Sequence, residues 1–222
     1  MKTLTLFELY KRLSENLDVD RSWPASCKLE IVLGAILVQN TNWKNVEISL
    51  KNLFERTGFD GNLILGLLTA ELEGLIRPSG FFVNKAKCIQ ETLQFLVTYD
   101  FDFVLLASDF GSELRKSLLK IRGIGDETAD VLLLYVFDQK VFISDKYASK
   151  LLEKVGVFNL KNYKSIAEKI KLTEEFTLEQ AQEFHILIIE FGQRYLNRGK
   201  THDENFLTGY ELKVETGGKV TD

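Results

Sequence analysis

The sequence predicts an all-α protein, and three observations carry that expectation. Apolar residues recur three and four apart over most of the 222 positions, which is the period of a helix with one buried face. Strict apolar–polar alternation, the mark of a half-buried strand, does not persist anywhere. Only two prolines, Pro24 and Pro78, interrupt the chain, so helices meet few breakers.

Each element follows from its own pattern. Residues 4–17 form an amphipathic helix with Leu6, Leu9, Tyr10, Leu13 and Leu17 on one stripe. Residues 28–38 are apolar nearly all round and predict a buried helix, and residues 43–57 predict a third. A short helix over 69–76 ends before Arg77-Pro78, because the residue preceding a proline is driven out of the helical region. Residues 80–98 predict a long helix with Phe82, Ala86, Ile89, Leu93 and Leu96 facing inward. After a tight corner at residues 123–125, a helical run extends from Thr128 to about Phe137. Residues 146–155 are helical with Tyr147, Leu151, Leu152 and Val155 inward, and further helices are expected over 161–171 and 177–197. The segment Thr216-Gly217-Gly218-Lys219 is expected to be disordered. The total is about ten helices of ordinary length.

Composition narrows the class. Apolar residues make up 45% and charged residues 27%, which is ordinary for a globular protein able to bury a substantial core. The net charge of −4 argues against tight non-specific binding to nucleic acid while leaving room for a local basic face. Cys27 and Cys88 are the only cysteines and are far apart, so they form neither a disulfide framework nor a zinc spacing; no metal site is expected. They read as buried small apolar residues or as free thiols in a reducing cytosol. No apolar run resembles a signal peptide or is long enough to span a membrane, so a cytoplasmic protein is expected.

The chain is organised around residues 118–145. Leu118 and Leu119 lead into Gly123-Ile124-Gly125, with Ile121 and Ile124 as plugs into the core. Two glycines around an aliphatic residue allow positive φ and close approach of another molecule. The second glycine opens a helix, whose backbone N–H groups and positive end make an anion site. Lys120 and Arg122 precede the corner and place cations beside it, with Lys116, Lys146 and Lys150 as a wider rim. Asp126, Glu127 and Asp130 oppose that rim.

The pattern Ile121, Gly123, Ile124, Gly125 resembles the helix-hairpin-helix of DNA repair proteins. Asp145, twenty positions after Gly125, extends the resemblance to the endonuclease III-like helix-hairpin-helix DNA glycosylases, from Trp23 to about Lys200. That resemblance implies two helical lobes with a cleft between them. One is a six-helix lobe over 26–137 containing the hairpin; the other is made of 1–25 and 138–222. Asp145 would lie at the mouth of the cleft. Lys120, Arg122, Gly123, Ile124 and Gly125 would hold the phosphates of double-stranded DNA containing a damaged base. Endonuclease III-type members carry four C-terminal cysteines on an iron–sulfur cluster; this sequence has none there, so no cofactor is expected.

Asp145 has two compatible readings. Before a helix it is an N-cap, and the resemblance makes it the catalytic carboxylate that stabilises an oxocarbenium-like sugar or orients water. Two places after Gly125, bifunctional members carry a lysine that attacks the sugar as an amine. Here that position is Glu127, followed by Thr128-Ala129 as in the family. A carboxylate cannot form the Schiff base, so a monofunctional glycosylase without abasic-site lyase activity is expected.

The segment Leu37-Val38-Gln39-Asn40-Thr41-Asn42-Trp43 matches another family signature. Gln39 either fills the gap left by an extruded nucleotide or is a polar residue at a helix end. Trp23 and Trp43, the only tryptophans, either pack in the core or stack on the extruded base; Pro24 adjoins Trp23. Indole faces suit a cationic alkylated purine. Trp23-Pro24, Arg77-Pro78-Ser79-Gly80-Phe81 and Lys85-Ala86-Lys87 resemble a small bacterial branch that removes 3-methyladenine and lacks the cluster. His185 falls in an apolar run and reads as core, while Lys200 and His202 follow it in the tail. The expectation is a monomeric, alkylated-purine DNA glycosylase of base excision repair. A glycosylase for another damaged base and a non-catalytic hairpin module that binds DNA remain the alternatives.

Overall fold

The structure, a computed structural model, describes residues 1–196 and 205–214. The chain forms two compact units, one of Met1–Trp23 with Lys140–Asp222, the other Pro24–Gln139.

In chain order, the first unit opens with β1 (Lys2–Leu4) and α1 (Leu6–Asn16). The second unit contains α2 (Lys28–Leu37), α3 (Trp43–Thr57), α4 (Gly61–Leu65), α5 (Thr69–Ile76), α6 (Phe82–Val97), α7 (Phe103–Phe110), α8 (Leu114–Leu118) and α9 (Asp126–Tyr135). A 3-10 turn, Arg77–Ser79, joins α5 to α6. The chain then returns to the first unit with α10 (Lys146–Lys154), α11 (Tyr163–Lys169), α12 (Leu178–Tyr195) and β2 (Tyr210–Leu212). The all-α expectation holds, and the long periodic helices lie close to where the sequence puts them.

Three short helices were not expected. α4 and α7 show little periodicity because they are short, and Asp caps start them. Asp60 accepts the N–H groups of Asn62 and Leu63, and Asp102 those of Val104 and Leu105. α8 forms the first arm of the hairpin. The two strands leave no signal in the sequence either. β1 and β2 pair in parallel, Lys2 opposite Tyr210 and Leu4 opposite Leu212. Three residues are too few to display alternation, and their pairing is a long-range event.

The first unit packs α12 against α1 and α10. Its core joins Leu9, Leu13, Leu151, Leu152, Phe176, Phe184 and Phe191. Thr5 starts α1 with a capping box closed by Glu8, and Thr177 starts α12 with one closed by Gln180. The ring of Tyr147 lies over Gly192, where a β-carbon would come within 2.3 Å of it. The terminal strands are fastened further by Leu212 donating to the carbonyl of Val155 at 2.8 Å.

The second unit packs α2 against α9, α3 and α6, with α5 bridging α3 and α6. α2 is buried along almost its whole length, as its composition predicts. Its last turn and the start of α9 frame the hairpin corner.

Candidate functional site

The hairpin corner lies in the second unit. α8 ends at Leu118, a tight turn follows, and α9 starts at Asp126 with Gly125 as its N-cap residue. Ile124 is buried and plugs the corner, while Ile121 is only half-buried. The two glycines do different work. Gly123 takes φ +96°, a conformation that side chains disfavour, and a β-carbon there would sit 3.1 Å from Cβ and Sγ of Cys88. Gly125 has φ −92° and ψ 179°, which any residue adopts. This corrects the expectation of positive φ at both. A β-carbon on Gly125 would meet nothing within 4 Å, so the space in front of it is open. Lys120, Arg122, Gly123 and Gly125 are all exposed. The Arg122 N–H donates to Glu91 at 3.1 Å.

Asp126 and Asp130 do not act as the opposing rim the sequence suggests. Arg115, on α8, donates to both carboxylate oxygens of Asp130, at 2.6 and 3.0 Å, and to Asp126 at 2.9 Å. Asp130 is 2% exposed. The guanidinium is held above its already high ordinary pKa, first by the hydrogen bonds with Asp130. The arrangement joins the two arms of the hairpin. Arg115 is 11 and 15 positions from its partners, a spacing that carries no recognisable signal. Lys116 pairs with Glu113 instead of extending a basic rim.

Gln39 follows α2 and reaches the corner. Its Nε2 donates to the Gly123 carbonyl and to the Thr128 hydroxyl, each at 3.1 Å. A cleft of about 310 Å³ opens beside it, lined by Gln39, Phe81, Lys85, Lys87, Arg122 and Gly123 among others. Three of these lining residues are cationic. Phe81 has φ +49° and is 66% exposed. A large apolar side chain held in the left-handed region and in water is a strained feature of the kind concentrated at functional sites. The segment carries a family resemblance that assigns Phe81 no role; the signal for one is an aromatic directly after Gly80.

Trp43 is half-buried in the first turn of α3 and does not line this cleft. Trp23 is half-buried and closes the first segment of the other unit; Pro24 is exposed.

Asp145 is in the first unit. It is 7% exposed and caps α10, with Oδ1 accepting the Ala148 N–H at 2.7 Å. The preceding Ser144 is buried, and its hydroxyl has no hydrogen-bond partner. Lys146 is exposed with its ammonium 4.9 Å from the centre of the Tyr147 ring. Lys150 is exposed. Glu127 is exposed in the first turn of α9. His185 is buried on α12, where desolvation pushes its pKa down to about 4, so it is neutral. Lys200, His202 and residues 216–219 lie outside the described residues. Among the described residues no group of three or more His, Cys, Asp or Glu is placed to hold a metal ion, and no helix is long and apolar enough to cross a membrane. Cys27 is exposed and Cys88 buried.

A helical chain with this hairpin and a helix-capping aspartate fits the class of DNA-repair enzyme that the sequence resembles. The family model described as HhH-GPD superfamily base excision DNA repair protein matches residues 33–175. The chain belongs to this superfamily and is a base excision repair DNA glycosylase. It is 36% identical over 196 residues to a Methanocaldococcus jannaschii protein named, provisionally, as a DNA repair glycosylase, covering 87% of this chain and 89% of the relative. It is 27% identical over 197 residues to endonuclease III of Sulfolobus acidocaldarius, covering 84% and 86%. Among solved structures, the 3-methyladenine DNA glycosylase of Helicobacter pylori, bound to 1,N6-ethenoadenine, superposes with a TM-score of 0.65. It is 31% identical, covering 86% of this chain and 98% of that one.

Proposed function

We propose that the protein is a monofunctional glycosylase that excises alkylated purines, of the 3-methyladenine class, from double-stranded DNA. It would act as a cytoplasmic monomer without a cluster. The observation that carries the reading is the pair of carboxylates at the two chemically decisive positions. Asp145 is buried and held at a helix start, and Glu127 stands where a bifunctional enzyme needs an amine.

The steps follow from the residues. The exposed backbone around Gly123 and Gly125, with Lys120 and Arg122, holds phosphates through N–H groups and charge; Ile124 anchors the corner. Such contacts position the duplex without reading the base. Gln39 and Phe81 enter the base stack, the amide occupying the vacated space and the ring acting as an apolar wedge. An indole of Trp23 or Trp43, with Pro24 nearby in sequence, offers the electron-rich face that attracts a cationic base. An alkylated purine carries its positive charge already and departs without strong acid assistance. The remaining requirement is a fixed negative charge for the sugar cation and the attacking water, which Asp145 supplies.

The choice of alkylated purine draws on the likeness to the Helicobacter pylori enzyme. The likeness to endonuclease III of Sulfolobus acidocaldarius supports a second reading, in which the same residues act on another damaged base.

The test is base release from alkylated DNA by wild type and Asp145→Asn, run with and without alkali. Release of 3-methyladenine by wild type alone, with strand breaks only after alkali, is expected. Release by Asp145→Asn would remove its catalytic role. Breaks without alkali, or borohydride trapping of a protein–DNA adduct, would remove the monofunctional assignment. Silence on alkylated DNA but release of another damaged base selects the second reading. Binding with no base release and no dependence on Asp145 would mark a non-catalytic hairpin module.

A further inference from the structure

We propose that Lys85 is a positioning residue that sets the spacing between Gln39 and Phe81, the two side chains that enter the duplex. The inference rests on the reading of those two residues given above.

Lys85 lies one turn into α6 and is 5% exposed. Its ammonium donates to the carbonyl of Leu37 at 2.9 Å and to that of Ser79 at 2.7 Å. Leu37 is the last residue of α2, and Ser79 is the last of the 3-10 turn. Each stands two positions before a probe, Leu37 before Gln39 and Ser79 before Phe81. One cation therefore fastens the two chain ends that carry the probes.

The geometry makes this more than packing. Two residues span at most about 7 Å, so a pinned carbonyl closely limits where the next-but-one side chain goes. Gln39, Phe81 and Lys85 all line the same cleft. The chain is strained where it leaves the second anchor: Gly80 has φ +69° and Phe81 φ +49°. Such a conformation persists only when its surroundings over-determine it. A Met or Leu would fill the same volume without a desolvated charge. What the ammonium adds is direction, because carbonyls ending a helix or turn present their negative ends to it. Burial pulls the pKa of Lys85 down, consistent with an ammonium whose acceptors are neutral carbonyls. Beyond the cleft, the Gln39 amide continues the connection to Gly123 of the hairpin.

The experiment uses full-length protein and a duplex with 2-aminopurine beside a tetrahydrofuran abasic analogue. Fluorescence reports unstacking, anisotropy on an undamaged duplex reports hairpin binding, and circular dichroism confirms folding. For Lys85→Met we expect the unstacking equilibrium to fall on the order of ten- to a hundredfold, the scale of a small misplacement of working groups. Undamaged-duplex affinity should change less than about twofold, since phosphate contacts lie elsewhere. In Gln39→Ala and Phe81→Ala backgrounds the Lys85→Met effect should shrink, because the residue acts through those side chains. Equal losses in all three backgrounds, or wild-type unstacking by folded Lys85→Met, would overturn the proposal. If Lys85→Met does not fold, Lys85→Arg takes its place. The bulkier head keeps donors but displaces both carbonyls, and the same coupling decides. Because the analogue has no base to excise, Lys85-dependent unstacking without any base release would leave this inference standing while removing the glycosylase substrate reading. Absence of unstacking by wild type would overturn the inference itself.

Discussion

Arg115 clasps Asp130 with two parallel hydrogen bonds, Nε to Oδ1 at 2.6 Å and Nη2 to Oδ2 at 3.0 Å. The carboxylate is almost fully buried, and it belongs to the second arm of the hairpin while the guanidinium belongs to the first. Bidentate pairs fix orientation as well as distance. Arg115→Met leaves Asp130 buried without this partner and is expected to destabilise the protein by about 2–4 kcal/mol, as breaking a buried pair does. Replacing both residues, Arg115→Met with Asp130→Leu, should recover much of the loss. Chemical denaturation of the two single variants and the double variant checks this, and full additivity of the single losses would contradict it.

The glycines of the hairpin should separate stability from binding. Gly123→Ala forces a side chain into φ +96° and against Cys88. It should cost on the order of 1–3 kcal/mol of stability. Gly125→Ala meets no protein atom, so its melting temperature should stay close to wild type. Its affinity for duplex DNA should fall, because the methyl occupies the space proposed for the phosphate. Loss of stability without loss of binding at Gly125 would contradict the assigned role.

Asp145 combines capping with its proposed chemistry, and two substitutions distinguish them. Asp145→Asn keeps an oxygen for the Ala148 N–H and should retain nearly all stability. Asp145→Ala loses the cap and should cost about 1 kcal/mol. Both should abolish base release. Thermal melts alongside the release assay test the pair, and a cap-only role would leave Asp145→Asn active.

His185 introduces a pH dependence. Its folded pKa of about 4 lies below the ordinary value of 6.5. The unfolded chain therefore binds more protons between those limits, so stability rises with pH across that window. It falls by a few kcal/mol on acidification from pH 7 to 4. His185→Phe should flatten this part of the profile if the ring is accommodated. Denaturation midpoints at pH 7 and 4.5, compared between the two proteins, isolate the effect from the carboxylates.

The two cysteines should differ in reactivity. Cys27 is exposed, whereas Cys88 is buried and burial pushes its thiol up to about 11. A thiol reagent at pH 8 is expected to label Cys27 alone in the native state, and both after denaturation. Native labelling of both would show that the packing behind Gly123 opens readily.

Features that repeat locally, or that depend on the chemistry of one side chain, are legible in the residues alone. The three-and-four spacing of Leu6, Leu9 and Leu13, or of Ala86, Ile89 and Leu93, specifies helices with one buried face. Gly123-Ile124-Gly125 and Asp145 mark a corner and a helix start, and Glu127 lacks the nucleophilic amine whatever the fold. Relationships between residues far apart in the chain emerge only when it folds. Arg115 finds Asp130 across the hairpin, Gln39 finds Gly123, and Lys85 finds Leu37 and Ser79. β1 finds a partner near the other end of the chain. The physical reason is that periodicity and capping are properties of neighbouring residues. The partner of a buried charge or an unpaired strand edge is set by which distant groups the packed helices bring within hydrogen-bond reach. Lys85 shows the difference: as a residue it is one of many lysines, and its role comes from the two carbonyls that converge on it.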